Sequence, residues 1–172
     1  EPIKAPPRTY SIPRISPDGT RVALDIRDQE NGIWVWDLKR ETLTRFTFDA
    51  SADQYPVWTP DSRRIIFSSG RGGVLNLYGQ AADNTGTIER LTTSMNGQNP
   101  HAITPDGTHV LFAENAPKTN VDIGMLTLGA AGKSDVRPLL QTTFSEDNAD
   151  VSPDGRWIAY QSNESGQNEV YA

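Results

Sequence analysis

Four copies of one short motif punctuate the chain: SPDGTRVAL at 16–24, TPDSRRIIF at 59–67, TPDGTHVLF at 104–112 and SPDGRWIAY at 152–160. Their prolines, Pro17, Pro60, Pro105 and Pro153, lie 43, 45 and 48 residues apart. A period of this length, with a turn and a β-rich run in every copy, leaves few architectures open. Each unit is a small sheet that cannot bury both faces alone, so neighbours must stack, and radial stacking makes a β-propeller.

The motif has a mechanical reading. In Ser/Thr-Pro-Asp-Gly, proline supplies the φ near −65° that a type I turn needs, aspartate hydrogen-bonds nearby backbone, and glycine takes the φ > 0 position that follows. The second copy carries Ser62 where the others have Gly19, Gly107 and Gly155. Exchanging Ser62 for glycine is therefore expected to be neutral or slightly stabilising. After each turn come consecutive apolar residues, Val22-Ala23-Leu24, Ile65-Ile66-Phe67, Val110-Leu111-Phe112 and Ile158-Ala159-Tyr160. Two apolar faces on one strand indicate burial on both sides, between stacked blades. Leu24, Phe67, Phe112 and Tyr160 are expected in the inter-blade core.

The strands parse alike in every repeat. One precedes the turn and a second follows it. A third lies at Ile33–Leu38, Asn76–Gln80, Asp122–Thr127 and Asn168–Ala172, and a fourth at Thr42–Thr47, Thr87–Thr92 and Asp135–Gln141. The fold class is all-β: a single propeller region over 1–172 with repeats at about 10–47, 54–92, 99–141 and 147–172, in four-stranded antiparallel blades, the last lacking its outer strand. An arc that does not close leaves blade faces and sheet edges wet. Residues 1–9 are a poor substitute strand because Pro2, Pro6 and Pro7 interrupt them. Three closures stay open: a small four-bladed ring, an eight-bladed ring from two copies, or a larger parent chain. Glu1 in place of an initiating methionine is expected of a processed chain or a piece of a longer one, and the piece is preferred.

Composition narrows the function. A net charge of −6 without any basic run argues against tracking a phosphate backbone, so no nucleic-acid partner is expected. The absence of cysteine excludes disulfides and thiolate chemistry, and no apolar stretch approaches a membrane span. No Gly-x-Ser-x-Gly elbow is present. Gly132-Lys133-Ser134 ends like a phosphate loop, but Thr127 stands where its first glycine belongs, so it reads as a hairpin loop. Glu146, Asp147 and Asp150 lack the spacing and glycine of a calcium loop. His101 and His109 flank a turn inside the third repeat. No catalytic residue, metal or cofactor is expected.

Tyr55-Pro56-Val57-Trp58-Thr59-Pro60-Asp61, Gly32-Ile33-Trp34-Val35-Trp36-Asp37 and Glu89-Arg90-Leu91-Thr92 together resemble the repeats of the TolB-like, WD40-like propeller family. The third copy departs, with Ala102-Ile103 before its turn and Ile123-Gly124-Met125 lacking an aromatic. The last stretch, SPDGRWIAYQSNESGQNEVY, is similar to repeats in the C-terminal regions of bacterial serine/threonine kinases and related sensors. The resemblance implies a propeller used for binding, usually outside the cytoplasm, with no chemistry of its own.

Binding residues are then sought by position. Loops joining strand four to the next blade, and strand two to strand three, emerge together around the channel mouth, and function concentrates on loops held by a rigid scaffold. Arg14, Tyr55, Arg71, His101, Asp147 and Asp150 are the candidate binding residues, for a protein or small-ligand partner. Arg14 and Asp150 share one inner-strand position and are expected to meet if blades one and four become neighbours. A homo-oligomer completing the ring is expected over a compact four-bladed monomer. Two functions compete: a non-catalytic binding or scaffold module, possible sensor part of a larger receptor, and the gating propeller of a prolyl-oligopeptidase-type serine peptidase whose catalytic domain lies elsewhere.

Overall fold

The computed structural model describes residues 4–129 and 135–172. The Gly132-Lys133-Ser134 loop lies outside these residues. Four antiparallel sheets follow one another in chain order. Blade one holds β1 (Tyr10–Ile15), β2 (Arg21–Ile26), β3 (Gly32–Asp37) and β4 (Thr42–Arg45). Blade two holds β5 (Asp53–Trp58), β6 (Arg64–Ser69), β7 (Asn76–Ala81) and β8 (Glu89–Arg90). Blade three holds β9 (Gln98–Ile103), β10 (His109–Ala116), β11 (Asn120–Thr127) and β12 (Asp135–Leu140), and blade four β13 (Glu146–Val151), β14 (Ile158–Ser162) and β15 (Glu169–Tyr171). The strand count per blade and the short last blade match the sequence reading.

The turns are built as the motif dictates. Asp18, Asp61, Asp106 and Asp154 each accept from the Ser or Thr hydroxyl two residues earlier, at 2.6–2.7 Å, and from a backbone N–H two residues later. These bonds favour the ionised carboxylate and hold Asp18 and Asp106 down to about 2. Ser62 takes the left-handed conformation, φ 58, that its three glycine counterparts take at 70 to 73.

Alternation along the second strands explains the core. Ile65, Val110 and Ile158 with Phe67, Phe112 and Tyr160 face the preceding blade, Val22 and Leu24 hold the same positions in blade one, and Ala23, Ile66 and Leu111 face the following blade. The three seams follow. Ala23, Ile33 and Phe46 meet Trp58, Ile65 and Phe67 between blades one and two. Val57, Ile66 and Leu77 meet Val110 and Phe112 between two and three, and Leu111, Ile123 and Met125 meet Ala149, Val151 and Tyr160 between three and four. Phe67 is fully buried, stacked on Tyr78 and edge-on to Phe46.

Leu24 corrects the sequence reading. Its face has no preceding blade to meet, so it is buried within blade one, against Ile26, Trp36, Trp34 and Tyr10, with Ala5 packed beside them. Residues 4–9 adjoin this same blade rather than completing blade four: Tyr10 donates to Pro6 O at 2.5 Å and Arg8 pairs with Asp28 at 2.6 Å. Among the described residues, no fourth seam joins blade four back to blade one. Arg14 and Asp150 hold matching positions, opposite Ala23 and Ala159, yet they form no ion pair with each other.

Candidate functional site

Each inner strand is irregular. The ladder of β1 with β2 slips between Tyr10 and Pro13, that of β5 with β6 between Gln54 and Val57, and that of β13 with β14 between Asp147 and Asp150. Such bulges re-aim side chains along the axis. Tyr55 and Asn148 take positive φ, 56 and 53, at matching bulge positions. Asparagine tolerates the left-handed region, whereas a tyrosine there costs of the order of 1–2 kcal/mol.

At the mouth, buried carboxylates anchor arginines. Asp25 is 1% exposed, and Arg27 Nη2 donates to its Oδ2 at 2.9 Å. The Arg27 guanidinium lies 5.5 Å from the Tyr55 ring centroid, and Asp25 first, then Tyr55, raise its pKa further above the ordinary arginine range. In blade two Asp53 is 3% exposed and takes both oxygens to Arg71 Nη2 at 3.1 Å. Arg71 also donates Nε to Ser69 Oγ at 2.8 Å and lies over Tyr78. An isolated buried carboxylate would be strongly destabilising, so each arginine is fixed by its partner. The two differ in what remains for others: the Arg27 side chain is 45% exposed and that of Arg71 18%.

Deeper in the channel, His101 bridges the inner strands of blades three and four. Its Nε2 lies 3.2 Å from Asp147 Oδ1, and Ala149 N–H donates to its Nδ1 at 3.1 Å. Nδ1 must therefore be the acceptor, which makes the ring neutral with its proton on Nε2. Burial lowers the His101 pKa, Asp147 opposes this, and Arg14 reinforces it. Arg14 and Asp150 are exposed, on the inner strands of blades one and four.

Of the six candidates, His101 and Asp147 are brought into contact, and Arg14 is near enough to act on the His101 charge. Tyr55 lies under Arg27, Arg71 is held by Asp53, and Asp150 accepts only from Val151 N–H among the described residues. Sequence reasoning missed Arg27 and its anchor Asp25, although Asp25-Ile26-Arg27 at the end of a strand places both charges on one face. It also missed Asp53, whose partner lies eighteen residues onward. Among the described residues, no group of three or more metal-ligating side chains forms.

The profile of a family described as TolB beta propeller domain matches residues 3–172. The chain is 28% identical over 163 residues to the Tol-Pal system protein TolB of Francisella tularensis, covering 87% of this chain and 34% of that protein. It is 24% identical over 194 residues to an uncharacterized peptidase, YuxL, of Bacillus subtilis, covering 88% of this chain and 29% of that one. Among solved structures, a putative TolB from Agrobacterium tumefaciens superposes with a TM-score of 0.81 at 22% identity, over 96% of this chain and 58% of that one. The chain spans about half the length, or less, of the curated relatives it matches.

Proposed function

Because the chain belongs to the TolB β-propeller domain family, we propose that it is a non-catalytic binding module that works outside the cytoplasm and receives a protein partner on its channel-mouth face. One observation carries the reading. Tyr55 is held in a strained left-handed conformation beneath an arginine that a buried carboxylate fixes and that stays nearly half exposed. Strain of this kind concentrates where function needs a pre-set side chain. Tyrosine and arginine are also the residues that most often dominate binding energy at protein interfaces. Arg71, His101 and Asp147 belong to the same proposed surface, with Arg14 and Asp150 nearer the turn end of their inner strands.

The test is a photo-reactive phenylalanine analogue at position 55, with one at exposed Thr87, in the β7–β8 loop at the opposite end of the blade, as control. A discrete adduct at position 55, absent at 87 and lost on Arg27→Ala, supports the reading. Equal labelling at both positions would sink it.

A second reading is favoured by the Bacillus peptidase relative: the propeller gates the active site of a serine peptidase encoded with it. A nucleophile elbow in the same gene would select it, and this chain alone should then hydrolyse no ester or peptide substrate. Two copies complete a ring under this proposal, since blade four offers Ala159 and Val170 at the positions that, in the interior seams, meet the Ile15, Val22 and Leu24 positions of the next blade. This head-to-tail pairing of copies is part of the proposal.

A further inference from the structure

Strand four of blades one and two sends an arginine across strand three. Arg45 is paired with Trp34, donates Nε to Thr47 O at 2.8 Å and lies 5.9 Å from the Trp34 ring. Arg90 is paired with Tyr78, donates Nε to Thr92 O at 2.9 Å and Nη2 to Asn76 Oδ1 at 2.9 Å, and lies 5.9 Å from the Tyr78 ring. Blade three keeps the frame without the filling. At this register its pair is Gly124 and Pro138.

The remaining parts are in place. Asp122, paired with Glu114, stands where blade two has Asn76, paired with Ser69. It is 5% exposed, and its Oδ2 accepts from Thr119 Oγ1 at 2.7 Å and Gln141 Nε2 at 3.0 Å, while Oδ1 has no partner. A cavity of about 300 Å³ lies here, walled by Asp122, Glu114, Asn96, Phe112, Gly124 and Pro138. Glu114 accepts from Ser94, Asn96 and Gln98 side chains. Among the described residues, no lysine or arginine forms an ion pair with either carboxylate. Arg137 borders the cavity but is exposed and pairs with Met125, on the opposite face of the sheet.

We propose that this cavity binds a guanidinium group from outside the chain, replacing in blade three the arginine that Arg90 supplies in blade two. The planar fork suits Asp122 Oδ1 and the carboxylate of Glu114, with the Phe112 ring and Pro138 as apolar walls. A buried carboxylate oxygen without a partner is unfavourable, and a guanidinium relieves it where a compact ammonium matches the geometry less well. The site lies apart from Tyr55 and Arg27 and does not depend on the channel-mouth reading.

Two sources share this chemistry, the side chain of a partner's arginine and a free small guanidine, and the probes separate them. The intact chain is titrated calorimetrically with agmatine, with an arginine-containing tripeptide amide and, as control, with the matching lysine peptide. Saturable binding of the arginine peptide is expected, with the lysine peptide weaker by about tenfold or more. Agmatine binding as tightly as the peptide supports the free guanidine, and binding of the peptide alone supports a protein partner. Asp122→Asn, which copies the residue blade two tolerates, should weaken binding about tenfold or more. Pro138→Arg should abolish binding by filling the cavity from within while raising the melting temperature. No saturable binding of either guanidinium probe, or binding unchanged in both variants, overturns the proposal.

Discussion

Ile33, Leu77 and Ile123 share one register position in the third strands of blades one to three, and each is fully buried, whereas Val170 at that position in blade four is 79% exposed. The opposite end mirrors this. Trp58 is 7% exposed against blade one, while Ile15, its counterpart, is 64% exposed. The repeat fixes the chemistry of a position, and the neighbouring blade decides whether that chemistry is buried. The ends are not equivalent, however. Blade one covers Leu24 and Trp36 with its own aromatics and Ala5, whereas blade four leaves both Trp157 and Val170 largely exposed.

The largest test of this contrast is made inside a seam. Phe67→Ala should destabilise by about 3–5 kcal/mol, because the ring fills a closed space between Phe46 and Tyr78 that neighbours cannot collapse into. Val170→Ala in the isolated chain should shift stability by less than about 0.5 kcal/mol. Denaturant titration compares the two directly. A Val170 effect as large as that of Phe67 would mean that the end face is covered in solution.

Association is the next test. If the bare blade-four face meets blade one of a second copy, sedimentation should show mass rising with concentration, and Trp157→Lys should abolish the rise. A strictly monomeric chain at high concentration excludes the paired ring. Closure must come from apolar area, since the exposed Arg14 and Asp150 would contribute at most about 0–1 kcal/mol at such a seam.

The fold was legible because its signals are local and repeated: turn chemistry, and two apolar faces on every second strand. What fills the gaps between blades was not. The Arg71 anchor on Asp53, the empty counterpart of Arg90 and the coverage of Leu24 depend on residues brought together from different strands or loops. Gly124 illustrates the limit. Its missing aromatic was visible as a departure from the repeat, but only the folded structure shows that a Cβ there would meet the Phe112 ring at 2.3 Å. The candidate site was half legible, since His101 and Asp147 were chosen separately and their contact follows from strand adjacency.

That contact gives a pH test of smaller size. Burial lowers the folded-state pKa of His101 below its ordinary value of 6.5, so the unfolded chain binds the proton first as pH falls. The His101 contribution is therefore undiminished above the unfolded pKa and is lost as pH falls through that value toward the folded one. Melting temperatures between about pH 7 and 5 should drop less steeply in His101→Gln than in the parent chain. An unchanged slope would place the ring in water rather than against Ala149.

The smallest effect concerns Ser62, where the sequence alone suggests that glycine would help. Removing the side chain relieves a left-handed serine and gains roughly 0.5–1 kcal/mol. The structure adds an opposing loss. Ser62 is 3% exposed, and its Oγ accepts from Asp18 N–H at 3.1 Å, tying the turn of blade two to that of blade one. A hydrogen bond of this kind is worth about 0.5–1.5 kcal/mol. Arg21 Nη2 to Ser62 O, 2.7 Å, survives the change because it uses the backbone. The balance moves Ser62→Gly from slightly stabilising to neutral or slightly destabilising. Thermal unfolding of this variant beside Ser62→Ala, which removes the same hydroxyl while keeping a Cβ in the left-handed conformation, would isolate the bond. A clear gain in Ser62→Gly would show that strain in the turn outweighs the tie between blades.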